Sequence, residues 1–141
     1  MSLRLISANE RMLPGFFKNK CPRIKIVLEG ISNEEIEVLI DTGFNGYLTL
    51  PESVAARIGL QQTGGVGSST VADGSSSPYI SYLGKAIYNG KRIDTEIEVQ
   101  PDCKILLGMS LLEEFGLNLF VDLLANRVEL NDSRQNPRIK W

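Results

Sequence analysis

Residues 36–50 read Ile36-Glu37-Val38-Leu39-Ile40-Asp41-Thr42-Gly43-Phe44-Asn45-Gly46-Tyr47-Leu48-Thr49-Leu50. Ile36, Val38 and Ile40 share one face and Glu35 and Glu37 the other, the period-two pattern of a strand with one buried side. That strand runs into Asp41-Thr42-Gly43. Of the six aspartates, at 41, 73, 94, 102, 122 and 132, only Asp41 opens such a triplet. Asp94-Thr95 continues into Glu96, and Asp73-Gly74 lacks the hydroxyl residue between.

Working outward, Ile24, Ile26 and Leu28 form an earlier apolar face, and residues 30–33 supply a turn. Tyr47 to Leu50 predicts a short third strand. Pro51 suits a first helical position, and Val54, Ala55 and Ile58 are spaced for a helix that stops at Gly59. A related series returns about sixty residues later. Ala86-Ile87-Tyr88-Asn89-Gly90 answers Ile26-Val27-Leu28-Glu29-Gly30, and Glu96-Ile97-Glu98-Val99 answers Glu35-Ile36-Glu37-Val38. Ile105-Leu106-Leu107-Gly108 is a second apolar segment that closes on glycine. Ser110 and Glu113 after it predict a capping box opening a helix that Gly116 ends. Each half is strand, turn, strand, apolar segment, helix, which points to duplication. Leu117, Leu119 and Val121, then Val128 and Leu130, predict a closing hairpin around Ala125-Asn126.

At 141 residues, 43% hydrophobic and 23% charged, the chain fits one compact soluble domain. Residues 1–20 read as an N-terminal arm, 21–131 as the domain and 132–141 as a polar C-terminal tail. The net charge of −2 gives no reason to expect nucleic acid or a membrane surface as a partner. The basic groups Lys18, Lys20, Arg23, Lys25 and Arg134, Arg138, Lys140 read as solvated surface. With no histidine in the sequence, Ser-His and Cys-His nucleophile pairs and imidazole zinc sites are excluded. Cys21 and Cys103 are read as free thiols of a reducing cytosol, a disulfide between them being the alternative. No segment has signal-peptide or membrane-spanning length, so a cytoplasmic protein is expected. No cofactor and no metal are expected.

Asp41-Thr42-Gly43 on its apolar strand, Leu48-x-Leu50-Pro51 and Ile105-Leu106-Leu107-Gly108 together resemble the retropepsin-like aspartic proteases. Asp-Thr-Gly-Phe-Asn-Gly-x-Leu-x-Leu-Pro is similar to their bacterial and archaeal single-domain branch, and the resemblance covers residues 22–131. It implies a mainly β, closed barrel-like acid-protease domain with two short helices. It also implies an aspartic endopeptidase that acts on peptide or protein substrates as a homodimer, each copy bringing one carboxylate. The catalytic residues it implies are Asp41, Thr42 and Gly43. Phe44, Asn45, Asp73 and Gly74 are implied to contact substrate, the last two in a flap hairpin between Ser68 and Tyr82. Tyr79 or Tyr82 is placed to close over substrate, with a core role as the alternative. Gly64 to Ser69 lacks the Lys-Ser/Thr ending of a phosphate loop.

Two positions depart from the viral pattern, in which an acid after the triplet pairs with an arginine after the later glycine. Here Phe44 and Asn45 follow the triplet and Met109 follows Gly108. The joint loss strands no charge, and Phe44 and Met109 are expected to supply apolar contacts instead. The alternative function is a non-catalytic dimeric module that holds a peptide or partner on the same fold.

Overall fold

A computed structural model describes residues 11–70 and 74–132. Among them are strands β1 (Arg11–Pro14), β2 (Phe16–Lys18), β3 (Cys21–Glu29), β4 (Asn33–Ile40) and β5 (Leu48–Pro51). Helix α1 (Glu52–Ile58) is followed by β6 (Gln62–Thr70), β7 (Ser76–Tyr88), β8 (Lys91–Gln100) and β9 (Leu106–Leu107). Helix α2 (Met109–Phe115), β10 (Leu117–Asp122) and β11 (Arg127–Asp132) complete the order.

The larger sheet runs β2-β3-β4-β9-β5-β8-β7-β6, and a further pairing of β3 with β7 bends it back on itself. The result is barrel-like. Ile24, Ile26, Leu28, Val38, Leu48, Leu50, Ile97 and Leu107 fill its interior, each almost wholly buried. Their alternation with polar neighbours is what selects strands here, since only period two delivers every second side chain to one face.

The two half-repeats exchange partners. β4 pairs with β9 in parallel, Leu39 opposite Leu106, while β5 pairs with β8 in parallel, Leu48 opposite Ile97. Leu48 also meets Leu107 across the antiparallel contact between β5 and β9. The helices occupy matching places, and both end on left-handed glycines, Gly59 and Gly116. Asn89 and Gly90, both at positive φ, make the tight turn between β7 and β8.

Four local expectations change. Pro51 is the extended residue before α1 rather than its first turn, because it still pairs with Gln100 as the last residue of β5. Ser110 does not cap α2. The extended residue before that helix is Gly108, and the N–H groups of Gly108, Met109 and Ser110 bond to a neighbouring loop, so no side-chain cap is required. Residues 11–18, expected as arm, add β1 against β11 and β2 against β3, with Gly15 N–H donating to Val128 C=O at 2.8 Å between them. Asp132, expected as tail, is buried beside Asn131 at the end of β11, where Asn89 donates to Asp132 at 2.8 Å. Cys21 and Cys103 are free.

Candidate active site

The end of β4 is fixed from below by the second half. Leu39 N–H donates to Ile105 C=O and Asp41 N–H to Leu107 C=O, both at 3.0 Å. With Val38 and Ile40 buried, Leu39 and Asp41 face the other way, and the Asp41 carboxylate is partly exposed. Gly43 N–H donates to Asp41 Oδ1 at 2.9 Å, and Phe44 N–H donates to Asp41 C=O at 3.1 Å. The triplet is therefore a tight loop that orients its own carboxylate. A Cβ on Gly43 would stand 3.3 Å from Asp41 Oδ1, too close for that turn to hold unshifted.

Residues 44–47 are clasped by the start of α2. Gly108 N–H donates to Tyr47 C=O at 2.9 Å, Met109 N–H to Phe44 C=O at 2.8 Å and Ser110 N–H to Gly46 C=O at 3.1 Å. Ser110 Oγ donates to Asn45 C=O, so all four loop carbonyls are engaged. The Phe44 ring lies against Gly46 and Gly108. Phe44 and Met109 are thus joined by a backbone hydrogen bond. Thr42, Gly43 and Asn45 are exposed, Phe44 is half-buried, and Met109 is 42% exposed beside Thr42. Thr42, Met109, Leu112, Leu117 and Leu119 border one groove of about 580 Å³.

Beneath the site, Thr49 is buried on the strand after the loop. Its hydroxyl donates to Lys104 C=O at 2.7 Å and accepts from Leu106 N–H at 3.0 Å. Thr49 was not singled out from sequence, and Ser110 was read only as a helix cap. A threonine between two buried leucines was the available signal for Thr49.

β6 and β7 form the expected hairpin, Thr70 opposite Ser76, with Gly74 exposed at φ +86°. Asp73 lies outside the described residues. Gly64 to Ser69 belongs to β6, in agreement with the rejected phosphate-loop reading. Tyr82 packs against the core, whereas Tyr79 lies over Gly67, whose missing side chain leaves room for the ring. Burial first, and then the charges of Glu98 and Glu96, push the Tyr79 phenol above its ordinary pKa. Glu98 itself is pushed up, mainly by burial and secondarily by Glu96, and its Oε2 has no hydrogen-bond partner among the described residues.

No protein-family model and no curated protein matches the chain. Solved structures do. The retropepsin-like aspartic protease from Rickettsia conorii is 22% identical, with a TM-score of 0.61, the match covering 86% of this chain and 89% of that one. EIAV protease complexed with the inhibitor HBY-793 is 20% identical, with a TM-score of 0.62, covering 73% of this chain and 95% of that one. The chain has a retropepsin-like fold.

Proposed function

We propose that this protein is an aspartic endopeptidase whose catalytic dyad is formed by Asp41 from each of two copies. The observation that carries the reading is the Asp41 loop. A partly exposed carboxylate at a strand end, oriented by Gly43 N–H and braced by α2, sits on a retropepsin-like fold. A single chain presents one such triplet, so peptide hydrolysis by this route requires a second copy.

Two carboxylates at contact distance do not both ionise readily, so the pair shares one proton and titrates as a unit. The ionised Asp41 takes a proton from a water held between the two. That water attacks the peptide carbonyl carbon as the protonated Asp41 hydrogen-bonds the carbonyl oxygen. Proton return to the amide nitrogen releases the amine and leaves the acid. Thr42, exposed next to Asp41, is assigned to lock the two loops across the dimer axis. Phe44, Asn45 and the β6–β7 hairpin with Asp73 and Gly74 are assigned to the substrate.

The catalytic unit is the domain read over 21–131, supplemented by β1 and β2. No helix among the described residues is long and apolar enough to cross a membrane. Two free thiols support a cytoplasmic setting. The test is hydrolysis of an internally quenched peptide library by purified protein between pH 4 and 7, with Asp41→Asn as control. Cleavage lost in the variant upholds the reading. A wild type that cleaves nothing, or a variant that cleaves equally, overturns it.

A further inference from the structure

The face of β4 that carries Asp41 also carries Leu39, Glu37 and Glu35, because Ile36, Val38 and Ile40 take the buried side. Leu39 comes first, roughly 7 Å along the strand from Asp41. It has a cation on either side. Arg23 is its register partner on β3, and directly opposed residues project from the same face. On the other side Leu39 is bonded to Ile105, and Lys104 stands one residue earlier. Arg23, Leu39, Lys104 and Ile105 line a surface groove of about 450 Å³ that extends away to Glu35 and Arg57.

Charge in this groove is uneven. Near Leu39, Arg23 and Lys18 share the single carboxylate of Glu37, at 3.4 and 3.5 Å. Lys104 is exposed and forms no ion pair among the described residues. At the far end Arg57 is taken by Glu34, and Glu35 adds negative charge. Cations therefore outnumber carboxylates at the end nearest Asp41. The backbone of Lys104 is pinned through its carbonyl by buried Thr49, so only the flexible side chain adjusts.

We infer that this end of the groove is a substrate subsite for an acidic side chain, glutamate by length, beside the bond to be cleaved. The inference rests on the endopeptidase reading for the position of that bond and extends it to the class of substrate. An apolar floor of Leu39 and Ile105 suits the methylene stem of glutamate, and the cationic rim suits its carboxylate. A two-fold axis between the Asp41 loops places one such subsite on each side of the bond.

The experiment uses quenched peptides identical except for Glu, Gln or Lys at each residue flanking the bond. With the full chain, kcat/KM is expected to rank Glu over Gln over Lys, roughly threefold or more from end to end, as partly exposed charge contacts allow. The advantage of Glu over Gln is expected to vanish below about pH 4, where the peptide glutamate is protonated. Lys104→Glu is expected to reverse the order of Glu and Lys. Titrating the same peptides against Asp41→Asn separates this from hydrolysis. Tighter binding of the Glu peptide by a protein that cleaves nothing upholds the subsite and overturns the endopeptidase reading. Indifference to Glu against Lys, a preference unmoved by Lys104→Glu, or no binding of either peptide overturns the subsite.

Discussion

The carbonyl oxygen of Gly46 fills the space that a Cβ on Gly108 would need, with the Phe44 ring closing the other side. Gly108 is thus required by contact and not by a left-handed backbone, since its φ is −93°. Gly108→Ala has to push the 44–47 loop off the start of α2, and overpacking of this kind costs about 1–3 kcal/mol. Chemical denaturation is expected to show that loss, and peptide cleavage is expected to fall further than stability alone explains.

Asp41→Asn keeps the shape of the side chain and an oxygen for Gly43 N–H, while removing the ionisable group. Cleavage is expected to disappear, with circular dichroism and the melting temperature close to wild type. Wild-type turnover in the purified variant rejects the dyad.

Thr49→Val is close in volume but leaves Lys104 C=O and Leu106 N–H without their bond inside the protein. An unmade buried hydrogen bond costs about 1–3 kcal/mol. Urea unfolding is expected to show a loss of at least that order, and Thr49→Ser, which retains the oxygen, a smaller one. Equal stabilities for the two variants contradict the assigned role.

Glu98 gives a pH signature. Burial raises its folded pKa above the ordinary 4.5, so between 4.5 and the raised value the native state holds more proton than the unfolded chain. Stability from this group is present below 4.5 and is lost as pH rises through the folded pKa. Glu98→Gln is expected to flatten this part of the stability–pH curve and to gain relative to wild type above it. Denaturant melts from pH 4 to 7 check the sign.

Association is expected to limit activity on dilution. Around Thr42 the groove joins apolar Met109, Leu112, Leu117 and Leu119 to polar Glu113 and Asn118, and burial of its apolar share is little screened by salt. Specific activity is expected to fall with protein concentration while sedimentation shows the dimer holding or strengthening at high ionic strength. Met109→Ala is expected to weaken it. A dimer that dissociates in salt contradicts the apolar interface.

Most of the barrel was legible because Ile24, Ile26, Leu28, Ile36, Val38 and Ile40 carry their period openly, and because Ile97 and Val99 repeat it. The Asp41 loop was legible because Asp, Thr and Gly each have a separate local task there. The misread features depend on distant partners. Ser110 and Glu113 look like a cap when read alone. Three-dimensional contact gives the N–H groups of Gly108, Met109 and Ser110 carbonyls 61 to 65 residues earlier, as in Met109 to Phe44. Met12 and Leu13 show no period in a four-residue strand, and only β11 alongside makes one of them. Lys18 and Arg23 looked like solvated charge because their convergence on Glu37 is a matter of register.

The exchanged strands have a consequence for how the chain acquires its shape. Because β4 is finished by β9 and β5 by β8, no piece ending before Leu107 contains a completed layer beneath Asp41. Contacts this distant in sequence pay their loop-closure entropy before they return any stability, which makes such topologies slow to form. During synthesis the aspartate leaves the ribosome long before Leu107 and Gly108 arrive to hold it. The chain is therefore translated in a state without the braced loop, and its carboxylate is set in place only when nearly all of the protein exists.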